Sequence, residues 1–190
     1  MADAVEITDI LSEAFADDPF MLWMVGSEKA IRGLFDVFTR DVYLIHGFGH
    51  IDDRGAATLW LPAGASGSLS FFGHLRMGWS ILLGGGFTAI NRMTVTEKAA
   101  IKAHPNTPHY YLFAVGVRTS QQGRGLGAAV IREGLKRADS ENALAYLENS
   151  KPRNTPLYER LGFVTQRRLD IPEAPPLLAM LRQPHQANAS

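Results

Sequence analysis

The chain has 190 residues, of which 46% are hydrophobic and 20% are charged, a composition typical of one folded domain and not of a disordered chain. Nineteen basic side chains balance nineteen acidic ones, so we expect no net field that would attract nucleic acid or an anionic membrane. The absence of cysteine excludes disulfides, a thiolate zinc site and a cysteine nucleophile.

The first third of the chain predicts two helices and a hairpin. Apolar residues have helical spacing over residues 7–15, and Asp17-Asp18-Pro19 ends that helix. Ser27 is a suitable cap for a second helix, whose apolar residues keep to one face. Residues 47–52 and 56–61 then predict two strands around a tight turn.

The rest of the chain alternates helices and strands. Residues 66–104 predict two helices joined at Gly84-Gly85-Gly86, and HYYLFAVGV (109–117) predicts a central strand covered on both faces. The later predicted elements are a helix at about 125–140, a strand at 145–150, a short helix at 155–161 and strands at 165–169 and 177–181. This order predicts one mixed α/β sheet with helices on both faces, in a single domain over 1–182 with a flexible tail over 183–190.

Two observations bear on the location of the protein. The N-terminal residues MADAVEITDI lack a basic start followed by an apolar run, so no signal peptide is predicted. The most apolar window, LSFFGHLRMGWSILLGGGFTAI, is interrupted by His74, Arg76 and three glycines, and is a poor candidate for a membrane span. We therefore expect a cytoplasmic protein that binds neither a membrane nor nucleic acid.

The glycine-rich stretch QQGRGLGAAVI (121–131) lies between a predicted strand and a predicted helix. Free backbone N–H groups and the positive end of the helix dipole make such a junction an anion site, and glycines let a phosphate approach the backbone. A Walker loop would need Lys-Ser/Thr after Gly127, and a dinucleotide fingerprint would need different glycine spacing. A tight helix start without any ligand is the other interpretation.

Two motifs in this region resemble those of GNAT-type N-acetyltransferases. QGRGLG (122–127) is similar to their Q/R-x-x-G-x-G/A pyrophosphate loop, and NTPLYERLGF (154–163) is similar to their N-x-x-x-Y-x-x-x-G-F signature. The likeness covers residues 110–180. The stretches AFADDPFMLWM, ATLWLPAG and HYYLFAVGV resemble puromycin N-acetyltransferase-like members more narrowly. The chain departs from the family in having Thr119 where many members have proline, and no glutamate in the strand before the loop.

The resemblance implies a mostly antiparallel mixed sheet with splayed central strands, acetyl-CoA as co-substrate and no metal. Tyr158 would be the general acid that protonates the leaving thiolate, and Asn154 would contact the CoA arm or else cap the short helix. The implied cofactor-binding residues are those of the loop and of the strand before it, where an N–H would also stabilise the oxyanion: Val115, Gly116, Val117, Gln122, Gly123, Arg124, Gly125, Leu126, Gly127 and Ala128.

The residues themselves suggest a base. Glu148 lies on the predicted strand AYLENS, on the face of Tyr146, and is a candidate for taking the proton of the acceptor amine. Its alternatives are a carboxylate that only binds the acceptor, or an inert one at a strand end. His109 is a candidate relay or a structural histidine.

Other polar and aromatic residues have weaker interpretations. Asp18 is a candidate for holding the amine, whereas His46 and His50 are expected to belong to a turn and not to a metal site. Four aromatic residues are candidates for an apolar acceptor pocket or for the core: Trp60, Phe71, Phe72 and Trp79.

We therefore predict an acyl-CoA-dependent N-acetyltransferase that acts on a primary amine of a small molecule by direct attack. A protein N-terminus or lysine, and an acyl group larger than acetyl, stay open as alternatives. A non-catalytic CoA-binding or assembly module is the alternative from another functional class. Many proteins of this family are dimers, so a homodimer is also open.

Overall fold

The computed structural model describes residues 2–65, 67 and 71–185, without the side chains of residues 2, 71, 72, 80 and 83. The pocket-lining roles suggested for Phe71 and Phe72, and the last five residues of the expected tail, lie outside the described part. The tail does begin in contact with the domain, because the His185 N–H donates to Asp139 at 2.7 Å. The domain boundary at 182 stays a prediction.

The N-terminal part is helical and is followed by a hairpin. Its elements are α1 (Ala2–Phe15), α2 (Pro19–Val25), α3 (Glu28–Phe38), a π-helical turn (Thr39–Tyr43), α4 (Leu44–His46), β1 (Phe48–Asp52) and β2 (Ala56–Leu61). The α2 helix was not expected from the apolar pattern. It forms because the Asp18 side chain accepts from the N–H groups of Phe20 and Met21, Pro19 occupies the first turn, and Gly26 ends the helix in the left-handed conformation.

The remaining elements follow the predicted order. They are α5 (Phe71–Ala103), β3 (His109–Val117), a 3₁₀ turn (Thr119–Gln121), α6 (Leu126–Ser140), β4 (Leu144–Asn149), a second 3₁₀ turn (Pro152–Asn154), α7 (Thr155–Arg160), β5 (Val164–Arg168) and β6 (Leu178–Arg182). The α5 helix is broken at Gly86, where φ is 66° and ψ is −159°. The prediction of two helices joined at the glycine triplet is therefore confirmed. A Cβ at Gly84 would lie 2.4 Å from Ala30, which shows how closely α5 packs on α3.

The described strands form one six-stranded sheet in the order β1-β2-β3-β4-β6-β5. Within it β3 and β4 are parallel, and the other neighbouring pairs are antiparallel. The expected mixed, mostly antiparallel sheet is confirmed. Buried residues pack on both of its faces, one cluster being formed mainly with α1, α2 and α3 and the other with α6 and α7.

The two central strands separate half-way along their length. The β3–β4 pairing runs from His109↔Leu144 to Leu112↔Leu147 and stops there, although β3 continues to Val117. At the same point Phe113 is an extra residue against β2, because Leu59 pairs with Ala114 and Trp60 with Leu112. Such a bulge bends a strand and shifts its facing pattern by one residue. The bulge thus explains the predicted splay, which leaves the backbone of residues 113–117 open on the β4 side.

None of the helices in the described part of the chain combines the length and the hydropathy that a bilayer span requires.

The buried ring of Trp60 depends on a glycine in α6. A Cβ at Gly134 would lie 2.3 Å from the Trp60 ring. We expect Gly134→Ala to lower the free energy of unfolding by about 1–3 kcal/mol, because the overpacked ring must shift. The matched control is Gly78→Ala in α5, where no atom lies within 4 Å of the added methyl group. Urea denaturation measures both variants, and equal stability of the Gly134 and Gly78 variants would contradict this account of the packing.

Candidate active site

The loop before α6 leaves backbone N–H groups free. Gly123 and Gly125 have φ values of 76° and 78°, and no atom lies within 4 Å of a Cβ built on either residue. Gly125 is the N-cap of α6 without a side-chain capping bond, and the Ala129 N–H donates to the Gly125 carbonyl at 3.1 Å. The amides of Leu126 to Ala128 therefore have no acceptor within the helix. This geometry is suited to an anion.

Side chains from two other elements hold the loop in place. The Gln122 amide Nε2 donates to the Val117 carbonyl at 3.2 Å, which ties the loop to the end of β3. Glu13 of α1 accepts from the Thr119 N–H at 2.7 Å and from Arg118 at 3.0 Å. These contacts lower the pKa of Glu13, mainly through the Thr119 N–H, so its carboxylate stays charged and keeps the loop attached to α1.

One cavity of about 1450 Å³ brings most of the predicted site residues together. It is lined by the following predicted residues: Val115, Gly116, Val117, Gln122, Gly123, Gly125, Leu126, Gly127, Ala128, Glu148, Asn154 and Tyr158. Arg124 is the exception, since its side chain is exposed and it is not part of the lining. The backbone N–H of Gln122 is directed to the Thr119 carbonyl at 3.4 Å, so it is less free than its neighbours.

Gly116 lets α1 lie directly on β3. A Cβ there would be 2.9 Å from Ala14 and 3.0 Å from Leu11. The glycine inside this strand thus permits the close approach of a helix. It places α1 beside the open part of β3.

Glu148 is a buried carboxylate with one satisfied oxygen and one free oxygen. Its side chain is 9% exposed, and the Tyr111 hydroxyl donates to Oε2 at 2.6 Å. Oε1 is buried without a hydrogen bond to a described residue, and His104 Nε2 lies 3.3 Å from it. A buried carboxylate oxygen that lacks a donor is costly in a purely structural role. This oxygen is therefore available as a hydrogen-bond acceptor on the cavity wall.

Phenols surround the same carboxylate. Burial and the charge of Glu148 raise the pKa of Tyr43, Tyr111 and Tyr146. The Tyr146 hydroxyl is also buried, without a hydrogen bond to a described residue. All three phenols stay neutral at physiological pH, so they surround Glu148 with dipoles and add no charge of their own.

Tyr158 of α7 lines the cavity and packs with the cluster on the opposite face of the sheet from Glu148. It is 6% exposed. Burial, followed by the charge of Asp18, raises the pKa of its phenol. The hydroxyl therefore keeps its proton at neutral pH and is able to donate it.

Asn154 and Asp18 have clear local roles. Asn154 occupies the N-cap position of α7 but makes no capping hydrogen bond with its side chain, which leaves the alternative of a contact in the cavity. Asp18 is fully buried, and Ser150 at the end of β4 donates to its Oδ2 at 2.6 Å. Its other oxygen caps α2, so both oxygens hold local structure, and Asp18 is not part of the cavity lining.

The weaker sequence candidates lie away from the cavity. Trp60 is fully buried in the core, and Trp79 is 65% exposed. His46 is exposed, and His50 is on β1 with a pKa lowered by burial. Among the described residues, no group of three or more His, Cys, Asp or Glu side chains is arranged to hold a metal ion.

His104 and Tyr111 were not predicted as site residues from the sequence. Both line the cavity, and both contact Glu148. Tyr111 could have been predicted from the alternation of side chains. His109 and Tyr111 share one face of β3, Tyr146 and Glu148 share one face of β4, and pairing of the two strands places these faces on the same side of the sheet. No local pattern indicated His104, whose position depends on the end of α5.

Comparison with known proteins agrees with this geometry. Residues 78–163 match the model of the Acetyltransferase (GNAT) family. The matched segment is just under half of the chain, contains both the loop before α6 and Tyr158, and supports a place in the GNAT superfamily. Acetyl transfer from acetyl-CoA is the activity of this family, and the chain has the family's fold.

Individual proteins show how far the likeness extends. An uncharacterised N-acetyltransferase of Schizosaccharomyces pombe is 29% identical over 92% of this chain and 77% of its own. A Corynebacterium glutamicum structure, described as histone acetyltransferase HPA2 and related acetyltransferase, is 27% identical over 99% of this chain and 94% of its own, with a TM-score of 0.67. Arylalkylamine N-acetyltransferase 2 of Aedes aegypti shares the fold at 14% identity over 96% of this chain and 94% of its own, with a TM-score of 0.61.

The left-handed conformation of Gly125 generates a prediction for this GNAT loop. Valine is disfavoured there by about 1–2 kcal/mol, so we expect Gly125→Val to weaken CoA binding by about tenfold, measured by calorimetry. The control is Gly162→Val, where φ is 89° but the residue lies outside the cavity lining. That variant should have similar backbone strain and unchanged CoA affinity. Normal CoA affinity in the Gly125 variant would contradict the role of the loop.

Proposed function

We propose that the protein transfers an acetyl group from acetyl-CoA to a primary amine of a small, partly apolar molecule. The proposal rests on one observation: a single cavity joins the free amides before α6, the open backbone of β3, the free oxygen of Glu148 and the phenol of Tyr158. An anion site, a strand edge, a base and an acid are the groups that direct acetyl transfer needs.

Acetyl-CoA would supply the activated acetyl group as a thioester. The amides of Gly123 to Ala128 would hold its pyrophosphate, with the helix dipole of α6 adding to the attraction. The open backbone of Val115 to Val117 would pair with the pantetheine arm as an added strand, and Asn154 would contact that arm. An N–H of this strand would stabilise the developing oxyanion, an effect commonly worth about 3 kcal/mol.

Glu148 and Tyr158 would handle the protons. The free Oε1 of Glu148 is the acceptor for the proton that the amine releases, and its burial favours a role beyond binding the acceptor. Tyr158 would donate to the sulfur, since its raised pKa keeps the phenol protonated. The two groups approach the gap between β3 and β4 from opposite faces of the sheet, so both could reach one reacting centre.

The apolar part of the cavity supports an apolar acceptor. It is lined by side chains from the first three helices, the π-helical turn and α5, among them Met21, Met24, Phe38, Tyr43, Met77, Ile81 and Met93. Flexible methionines adapt to apolar groups of different shape. A peptide acceptor, which the name of the C. glutamicum relative would suggest, is expected to prefer a shallow acidic groove. The buried apolar lining favours a small molecule.

The remaining alternatives are tested by turnover. Protein is mixed with acetyl-CoA, a thiol reagent and a panel of alkylamines, polar amines and peptides, and amine-dependent release of CoA is followed. We expect the largest kcat/KM for amines with a bulky apolar group. Tight CoA binding without turnover on any amine would favour the non-catalytic module. Longer acyl-CoA donors test the acyl group, and sedimentation tests whether the protein is a homodimer.

Removing one hydroxyl tests the proposed acid. We expect Tyr158→Phe to lower kcat by roughly 100-fold, in the range of general acid catalysis, without changing CoA affinity. The matched control is Tyr110→Phe, which removes a buried phenol that donates to Glu141 at 2.7 Å and does not line the cavity. Its kcat should equal that of the wild type. Unchanged turnover in the Tyr158 variant would remove this residue from the mechanism.

A further inference from the structure

Two histidines lie end to end beside the free oxygen of Glu148. His104 follows α5 directly, and its Nδ1 is 3.0 Å from Nε2 of His109, the first residue of β3. His109 Nδ1 is in turn 2.8 Å from the Thr107 carbonyl oxygen. On its other side, His104 Nε2 is 3.3 Å from Glu148 Oε1. The groups form a continuous row from a backbone carbonyl to the buried carboxylate.

The Thr107 carbonyl oxygen at one end of this row determines which ring nitrogens carry protons. A carbonyl oxygen only accepts, so His109 Nδ1 must carry a proton and donate it. Burial lowers the pKa of His109, so its ring is neutral near pH 7 and its Nε2 is an acceptor. His104 Nδ1 must therefore be the donor in the contact between the rings. In neutral His104 the unprotonated Nε2 then faces Glu148.

We propose that His104 is a relay that takes from Glu148 the proton released by the acceptor amine and passes it to solvent. It acts through Glu148 and not on the substrate, so it is a positioning residue, and His109 sets its tautomer. This inference rests on the proposed function, in which Glu148 is the base. The row assigns a use to the buried Oε1, which makes no hydrogen bond to a described residue, although the neighbouring Tyr146 phenol interacts with the Glu148 carboxylate.

The proton balance of the step is complete. The amine nitrogen forms the bond to the acetyl carbon, the bond from that carbon to sulfur breaks, and one N–H proton moves to Glu148 Oε1. That proton passes to His104 Nε2, and the imidazolium releases it to water, since the His104 side chain is 28% exposed. Tyr158 gives its proton to the sulfur and regains one from water. The net products are an amide and a free thiol.

Few neighbouring groups change charge near neutral pH. Tyr43, Tyr111 and Tyr146 face Glu148 from three different elements and stay neutral, because burial raises the pKa of each. Arg167 of β5 donates to the Lys102 carbonyl next to this row and is always charged. The three phenols therefore do not contribute to an effect of pH on the relay near neutral pH.

The test removes only the nitrogen that faces Glu148. His104→Asn keeps an N–H that can donate to His109 but has no group to receive the proton. We expect kcat to fall by roughly 100-fold with a strongly basic amine, while KM for acetyl-CoA stays unchanged. The acidic limb of the wild-type kcat–pH profile should be lost in this variant. The control is His46→Asn, an exposed histidine outside the cavity lining.

Acceptor basicity separates a relay from a packing role. The most active amine of the panel is compared with its β-fluorinated analogue, which has nearly the same shape and a much less basic nitrogen. The defect of His104→Asn should shrink by at least about tenfold with the fluorinated amine, because water can then take the proton. An equal defect with both amines, or an unchanged pH profile, would overturn the relay.

A second measurement does not depend on turnover. Nitrogen-15 NMR of the histidine rings should show the ring proton on Nδ1 in both His104 and His109. A His104 ring protonated at Nε2 instead would overturn the proposal, because that nitrogen could not accept a proton. If the wild type turns over no amine, the proposed function fails, and the NMR tautomers alone then decide whether the row of protons exists.

Discussion

The early end of the pairing between β3 and β4 is the constraint on which the site depends. Both strands continue beyond Leu112 and Leu147 but no longer share hydrogen bonds, and the extra residue Phe113 bends β3 at that level. The gap opens the sheet to both of its faces. Glu148, the proposed base, projects from one face, and Tyr158, the proposed acid, packs on the other. Both therefore line the same cavity.

The two buried carboxylates near this gap, Asp18 and Glu148, differ in how many of their oxygens are hydrogen-bonded. Asp18 uses both oxygens, one on the first turn of α2 and the other on Ser150, so it fastens the N-terminal helices to the end of β4. Glu148 uses one oxygen on Tyr111 and keeps the other without a hydrogen bond. Both oxygens of the Asp18 carboxylate are thus hydrogen-bonded, whereas one oxygen of the Glu148 carboxylate is not.

Local signals predicted most of the fold and about half of the site. Alternation, glycine spacing and the signature around Tyr158 are properties of short segments. The strands, the loop and the candidate residue Tyr158 could therefore be predicted from the sequence. The α2 helix was missed because its existence depends on the Asp18 cap more than on an apolar period. His104 was missed because its contact with Glu148 joins residues 44 positions apart through the course of α5. The contact of Arg124 with the cofactor stays a prediction, since its side chain is exposed outside the lining and nothing local shows which way such a side chain turns.

The break at Gly86 divides α5 into two parts with separate neighbours. The part before it contributes Met77 and Ile81 to the apolar end of the cavity, whereas the part after it leads to His104. A non-helical residue between them uncouples the register of one half from that of the other. Substitutions in the part of α5 before Gly86 would therefore change the apolar lining of the cavity, and with it the acceptor preference, without moving His104 and the proposed proton path.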